Sequence, residues 1–158
     1  MGAILFDDSV RTLIPPRLGW RHGLRVVSEV LGAEPRGRGT ALDQAVRAAG
    51  HMLHRRGVVI ILVDQACPFP RRELVALAGR HEVVIVRLGD DLLERGLDGA
   101  NLPVVDAEAG DRGAVRGPGA VRRQSPPPGV DLIELHTGED YLPAVRAMLE
   151  QRERRRAH

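Results

Sequence analysis

The chain of 158 residues contains no lysine, so all 23 of its basic residues are arginine. Set against 21 acidic residues, they give a net charge of only +2, although the pI is near 9.4. The arginines are spread along the chain, and only residues 152–156 form a run, interrupted by Glu153. We interpret this run as a solvated helix end that complements the helix dipole. With no recognised motif and no aromatic platform beside the charge, the sequence argues against nucleic-acid binding.

Aromatic residues, cysteine and long apolar runs are also scarce. One Trp, one Tyr and two Phe leave the core to Val, Leu, Ile and Ala. Cys67 is alone, which excludes an internal disulfide and is typical of a reducing compartment. No apolar run approaches the ~18 residues of a membrane span, and the short apolar start, ending at Asp7, does not form a signal peptide. We therefore expect a soluble cytoplasmic chain, with one domain over residues 1–158 and no membrane segment.

Three apolar segments indicate the fold class. Residues 57–64 read GVVIILVD, residues 82–88 read EVVIVRL, and residues 130–136 read VDLIELH. The first two follow helical patterns, which is typical of a parallel sheet covered on both faces. The sequence therefore predicts an α/β fold with a mostly parallel sheet flanked by helices.

The remaining segments have helix or hairpin patterns. GAILFDDSVRTLIPP at residues 2–16 predicts a hairpin. Thr40 with Asp43 fits a capping box that opens a helix lasting to Gly57, and a short helix follows at about 70–80. Apolar spacing predicts three helix faces, the last directed inward: Trp20, Leu24, Val27 and Leu31; Leu42, Val46, Ala49 and Leu53; Leu142, Val145 and Leu149.

Proline and glycine dominate a long stretch before the last strand. LPVVDAEAGDRGAVRG at residues 102–117 fits a small hairpin, while GPGAVRRQSPPPG at 117–129 opposes any helix. We therefore predict an irregular loop over residues 107–129.

The sequence contains no recognisable catalytic motif. His51 and His54 are three residues apart, without the intervening Glu of a zinc protease, and His81 is predicted to lie at the surface. RGRGT at residues 36–40 lacks the lysine of a phosphate-binding loop. Cys67 follows a strand end but has no partner histidine that sequence identifies. The sequence therefore does not predict an enzyme.

Carboxylates follow several predicted strands: Asp7, Asp8, Asp64, Asp90 and Asp91. The ends of parallel strands meet at one edge of a sheet, and Thr40 could reach the same edge. Hydroxyl and carboxylate oxygens suit Mg²⁺, which needs few protein ligands. Spacing alone nevertheless favours a helix cap for Thr40 and a solvated strand end for Asp64. A small α/β enzyme using Asp64 with Asp90 or Asp91 stays open as an alternative.

Five segments, in order, carry a resemblance to a known family: GAILFDD, IPPRLGWRHGLRVVSEVLGAEPRGRGTALDQAV, RRGVVIILVDQ, RHEVVIVRLGDDLLERGL and DLIELHTGEDYLPAVRAML. Together they are similar to the C-terminal part of domain-of-unknown-function-58 proteins. The resemblance implies a Rossmann-like sheet of the von Willebrand factor A type. It also implies a metal-ion-dependent adhesion site, whose threonine and last aspartate match Thr40 and Asp64. Family members usually carry upstream membrane segments and are associated with MoxR-type AAA+ ATPases.

The chain departs from this family pattern at its start. The first, central strand and its Asp-x-Ser-x-Ser sequence are missing, and DDSVR is no substitute because Arg11 stands where the second serine belongs. Two unpaired strand edges would remain, which favours self-association. We therefore hypothesise a non-enzymatic interaction or adaptor module, working with a MoxR-type AAA+ ATPase and binding Mg²⁺ weakly through Thr40 and Asp64. A truncated, non-functional fragment is the alternative.

Overall fold

The structure, a computed structural model, describes residues 1–34, 36–37, 39–89, 102–105, 112–115 and 124–156. Along these residues the polypeptide forms β1 (Ala3–Phe6), β2 (Val10–Ile14), α1 (Trp20–Leu31), α2 (Leu42–Met52), β3 (Val58–Asp64), α3 (Arg71–Ala78), β4 (Glu82–Gly89), β5 (Leu102–Val105), β6 (Arg112–Val115), β7 (Val130–His136) and α4 (Leu142–Arg156).

The three apolar segments form a parallel sheet in the order β3–β4–β7, as predicted. In the shared register Ile61 of β3 lies beside Ile85 of β4, and Ile85 lies beside Leu132 of β7. β4 is central, and its residues Val83 to Arg87 are all buried. The predicted α/β class, with a mostly parallel sheet flanked by helices, is therefore confirmed.

Helices α2 and α3 cover one face of this sheet. Their buried side chains, together with those of β3 and β4, form one apolar cluster that includes Leu42, Val46, Ala49, Ile61, Val63, Leu74, Leu77, Val83 and Ile85. The predicted apolar face of α2 is thus confirmed for Leu42, Val46 and Ala49, while Leu53 follows the end of the helix and is half-buried.

The opposite face is covered only in part. Met148 and Val145 of α4 pack against Val84 and Val86 of β4 and the neighbouring part of β7. On the same face, the β3 residues Val58, Ile60 and Leu62 are 44%, 53% and 62% exposed. Among the residues that the structure describes, both faces of β4 are covered as predicted, whereas the outer face of β3 is not, because α4 packs on β4 and β7.

Both predicted hairpins are present. β1 and β2 pair antiparallel with an irregularity at Leu5 and Phe6, and β5 pairs antiparallel with β6. Strand β6 lies within residues 107–129, so this part of the predicted irregular loop is regular. Residues 107–111 and 116–123 of that loop lie outside the described residues.

Two helices expose apolar residues of the faces that the sequence predicts. Trp20, Leu24 and Leu31 of α1 are 70%, 55% and 81% exposed, so the apolar stripe of α1 is not covered by the described residues. In α4, Leu142 and Leu149 are also exposed, and Met148 is buried instead. The prediction that Leu142 and Leu149 face inward was wrong, because the helix is rotated to bring Met148 onto the sheet.

The start of α2 also differs from the prediction. Ala41 is the residue that precedes the helix, and the helix has no hydrogen bond from a capping side group there. Asp43 pairs instead with Arg47, one turn further along the helix. The predicted capping box of Thr40 and Asp43 is therefore wrong, and the helix ends at Met52, five residues before Gly57.

Two charged or titratable residues predicted at the surface are buried. Arg152 is 8% exposed and bonds to Glu82 at 3.4 Å and to Asp131 at 3.3 Å. His81 is 4% exposed, next to β4. Both residues line a cavity of about 680 Å³ at the N-terminal ends of the parallel strands. The predicted solvated helix end is thus wrong for Arg152, and the predicted surface position is wrong for His81.

The buried imidazole gives folding a pH dependence. Burial lowers the pKa of His81 below its ordinary value of 6.5, and the charges of Arg80 and Arg56 lower it further. Protonation therefore favours the unfolded state, whose histidine has the higher pKa. We expect stability to fall as the pH drops below 6.5, until the folded His81 is itself protonated.

Urea unfolding at about pH 7.5 and about pH 5.5 measures this effect. The variant His81→Leu should lose less stability between the two values than the wild type, since it removes the titrating group. His54→Leu, at an exposed position, is the matched control and should keep the wild-type difference. The same pH dependence in His81→Leu as in the wild type would contradict the assignment.

Candidate functional site

The two candidate ligands come together on one cleft. A cavity of about 1270 Å³ is lined by all residues of β1 and β3, together with parts of α2 and of residues 28–36, and we call it the β1–β3 cleft. Thr40 and Asp64 both line it, as does Asp7. Thr40 and Asp64, which are 24 positions apart in sequence, thus border the same cavity.

Asp64 ends β3 and turns the backbone toward α3. Its Oδ1 accepts hydrogen bonds from the backbone N–H groups of Ala66 at 2.8 Å and Cys67 at 2.7 Å. The short carboxylate of an aspartate commonly stabilises a turn in this way. Its other oxygen, Oδ2, accepts no hydrogen bond from the described part of the chain, and the residue is exposed. One carboxylate oxygen of Asp64 therefore holds the turn, and the other makes no hydrogen bond with the described residues.

Asp7 fixes the loop that carries Thr40. Its Oδ2 accepts the backbone N–H groups of Arg36 at 3.1 Å and Gly37 at 2.9 Å, and its Oδ1 accepts Arg11 Nε at 2.6 Å. Its backbone carbonyl oxygen accepts the N–H of Ala41 at 2.6 Å. Both sides of Thr40 are thus attached to the end of β1. The sequence identified Asp7 only as one of several strand-end carboxylates and did not predict this anchoring.

The surroundings of Asp7 keep it ionised. Desolvation opposes the charge, but the hydrogen bond from Arg11 and three backbone N–H groups outweigh it and hold the pKa of Asp7 well below its ordinary value of 3.8. The carboxylate is committed to this loop and is not a spare metal ligand.

The loop needs its glycines. A Cβ at Gly37 would collide with the carboxylate of Asp8, and Gly39 has φ +143°, a backbone conformation that other residues rarely adopt. The glycines of the GRGT segment therefore let this loop approach β1 closely. Their presence is explained by this contact, and a phosphate ligand is not needed to explain it.

Arg87, near the C-terminal end of β4, is a residue that sequence reasoning missed. Its guanidinium lies 4.7 Å from the ring centre of Phe69, donates to Glu134 at 3.0 Å and donates to the C=O of Gln124 at 2.7 Å. These contacts fasten Gln124 and Phe69 to the ends of β4 and β7. The only signal was an arginine inside an otherwise apolar strand.

Other candidate residues lie in different surroundings. Cys67 is 5% exposed, and its Sγ lies 3.7 Å from the C=O of Pro68, whereas reactive cysteines are accessible. His51 and His54 are exposed on and after α2. Asp90 and Asp91, the carboxylates of the enzyme alternative, lie outside the described residues.

The donors at the cleft fit a hard cation in kind. A threonine hydroxyl and a carboxylate oxygen are ligands that Mg²⁺ accepts, and Mg²⁺ commonly keeps several waters. These protein donors are few, since the described residues contain no group of three or more His, Cys, Asp or Glu residues placed to hold a metal. The arrangement therefore suits weak binding, with water supplying most of the coordination shell.

The described residues form an α/β protein whose parallel sheet and flanking helices are compatible with a Rossmann-like fold. The chain belongs to the family described as "Protein of unknown function DUF58", whose match covers residues 1–125. This agrees with the family resemblance of the sequence. No helix in the described ranges is long and apolar enough to cross a membrane.

Relatives are found in mycobacteria. Uncharacterized proteins of Mycobacterium bovis and of two Mycobacterium tuberculosis strains are each 27% identical to the chain over 173 aligned positions. The alignment covers 98% of this chain and 54% of each relative, so the chain spans about half the length of the curated relatives it matches. No solved structure matches the chain significantly.

Proposed function

We propose that this chain is a non-enzymatic protein-interaction module of the von Willebrand factor A type. The shared position of Thr40 and Asp64 on the β1–β3 cleft supports this proposal most directly. The loop that carries Thr40 is held at the end of β1 through Asp7, and Asp64 is exposed with only one carboxylate oxygen engaged by its own turn. The two residues would hold a weakly bound Mg²⁺, which in turn offers coordination positions to an oxygen of a partner protein.

The surroundings of the other chemical groups favour interaction over catalysis. A nucleophile needs a base within hydrogen-bonding reach and access to substrate. Cys67 is buried beneath its own turn, and Asp7 is neutralised by Arg11. Acid–base chemistry at Asp64 would need a second group, and the predicted ones, Asp90 and Asp91, lie outside the described residues.

The partner in this proposal is a MoxR-type AAA+ ATPase, and the support for it is the family resemblance. A cytoplasmic location belongs to the same proposal and is supported by the lone cysteine. The relatives that the chain matches are uncharacterized, so the partner has to be tested on this chain directly.

Mg²⁺ binding tests the site. We expect millimolar binding or somewhat tighter, weakened at least about tenfold in Asp64→Asn, because the substitution removes the charged ligand. Asparagine keeps an Oδ1 that can accept the bonds from Ala66 and Cys67, so the turn is preserved. Isothermal titration with Mg²⁺ and Mn²⁺ measures the affinity, and capture of the ATPase with Mg²⁺ or with EDTA measures the consequence.

Asp140→Asn is the matched control. Asp140 is exposed, and its Oδ1 accepts the N–H of Leu142 at 3.0 Å, so the substitution is chemically the same as at Asp64 but lies away from the cleft. Wild-type affinity in Asp64→Asn would remove Asp64 from the site. Equal loss in both variants would indicate a general charge effect.

A further inference from the structure

The cavity beside His81 lies at the opposite edge of the sheet from Asp64. Its volume of about 680 Å³ is within the roughly 300–1,000 Å³ of small-molecule sites, and we call it the His81 cavity. Among the described residues, its walls come from those before β3, the end of α3, the starts of β4 and β7, and Arg152 of α4. The seven residues of β3 separate it from Asp64 by roughly 20 Å. A ligand in this cavity would therefore be distinct from the proposed Mg²⁺ site.

Two buried side chains of this cavity carry polar atoms without a partner. His81 is 4% exposed and Arg152 is 8% exposed. In the described part of the chain, neither ring nitrogen of His81 makes a hydrogen bond, and neither does Nε of Arg152. Buried polar groups are nearly always hydrogen-bonded, because leaving a buried donor or acceptor unpaired is costly. These atoms therefore call for a partner from solution.

The two carboxylates of the cavity are engaged by Arg152. Glu82 and Asp131 line the cavity, and the two Nη atoms of the guanidinium bond to them at 3.4 Å and 3.3 Å. Arg56, on the exposed side of the cavity, supplies a second positive charge. Two arginines thus balance two carboxylates, and the position of each charge decides what the cavity attracts.

Positive charge prevails beside the unpaired imidazole. Burial lowers the pKa of His81, and the charges of Arg80 and Arg56 lower it further, which indicates a positive field that attracts anions. Arg80 donates to the C=O of Gly50 at 2.9 Å and so offsets the partial negative charge near the end of α2. Arg56 is exposed and makes no hydrogen bond or ion pair with the described residues. Its guanidinium can therefore bind a ligand.

We infer that the His81 cavity binds the phosphate group of a small molecule. Three donors belong to three different parts of the fold: the guanidinium of Arg56, Nε of Arg152, and the protonated ring nitrogen of a neutral His81. A phosphate offers at least three oxygens to such donors, whereas a carboxylate offers two, and bonds between arginine and phosphate are strong. The volume leaves room for an organic part of the ligand. This site goes beyond the proposed interaction function and does not depend on it.

Inorganic phosphate is the probe, titrated calorimetrically into the full-length protein at about pH 7.5 and constant ionic strength. We expect millimolar or tighter binding. Sulfate has the same tetrahedral shape and should bind with similar affinity, while acetate should bind at least about fivefold more weakly, because it has only two oxygens. Equal binding of acetate would overturn the phosphate assignment. No binding of phosphate at tens of millimolar would overturn the site.

Arg56→Gln and Arg55→Gln form a matched pair. Both arginines are exposed and next to each other in sequence, but only Arg56 lines the cavity. Neither makes an ion pair with the described residues, so both variants should fold. We expect phosphate to bind at least about fivefold more weakly to Arg56→Gln and with wild-type affinity to Arg55→Gln. Equal losses would overturn the inference, because they would show general attraction by a positive surface.

Amide NMR locates the anion. We expect the largest shifts at Gly57, His81 and Gly129, which line or border the cavity, and none at Asp64. Saturating sulfate, whose charge is constant near neutral pH, should also raise the pKa of the His81 ring, because an adjacent anion stabilises the protonated form. A histidine that only packs against its neighbours would not respond. An unchanged pKa of His81, or shifts confined to other parts of the protein, would overturn the inference.

Discussion

Replacing Ile85 with alanine is expected to lower the free energy of unfolding by about 3–4 kcal/mol. Ile85 is 0% exposed at the centre of β4, between Ile61 of β3 and Leu132 of β7. Neighbours on both sides are held in register by the parallel sheet, so they cannot collapse into the space that the lost methyl and methylene groups leave. Urea unfolding followed by circular dichroism measures the change.

Ile60→Ala is the matched comparison, since it makes the same substitution in the neighbouring strand. Ile60 is 53% exposed, on the face that α4 does not reach. We expect a cost below about 1 kcal/mol, because little apolar surface leaves water at that position on folding. Similar costs at the two positions would contradict the difference in burial between β3 and β4.

The sheet was predictable because its signal is local. Each parallel strand is a short apolar run, and the order of strands and helices along the chain specifies a parallel connection. The hairpins at β1–β2 and β5–β6 follow from turn residues between two extended segments, which is again a local pattern. These elements agree with the structure within a few residues.

The sequence did not show in the same way which faces of the helices and of the sheet are covered by other elements. Spacing shows which residues share a side of a helix or strand, but not whether another element lies against that side. The apolar stripe of α1, with Trp20 and Leu24, and the outer face of β3, with Ile60 and Leu62, have the composition of buried surfaces and are exposed. In α4 the inward side is that of Met148, because contacts with distant strands select it.

In the candidate site, too, some residues could be predicted from the sequence and others could not. Thr40 and Asp64 follow from a family pattern, and the structure brings both to the β1–β3 cleft. The anchoring by Asp7 depends on backbone groups 29 and 30 residues away, which no local pattern reveals. Arg87 lies inside an apolar run, and its contacts with Phe69, Glu134 and Gln124 explain how a charge is accommodated there.

Arg152→Met is expected to destabilise the fold by about 2 kcal/mol, although the residue belongs to a run of arginines in a C-terminal helix. Its guanidinium is buried and bridges Glu82, which begins β4, and Asp131 on β7. Methionine fills much of the same space but removes the ion pairs that Arg152 makes with both carboxylates. Fully buried pairs lose roughly 3–5 kcal/mol when one partner is removed, and the loss here is smaller because the side group of Asp131 is 35% exposed.

Arg154→Met separates this effect from a general loss of positive charge. Arg154 lies two residues further along α4 and is exposed, so the same substitution removes the same charge without breaking a buried contact. We expect its unfolding midpoint in urea to stay within experimental error of the wild type, since surface substitutions rarely change stability by more than about 0.5 kcal/mol. Equal effects at the two positions would mean that the helix end acts as a solvated charged segment. A loss at Arg152 alone would show that the buried bridge between α4, β4 and β7 stabilises the fold.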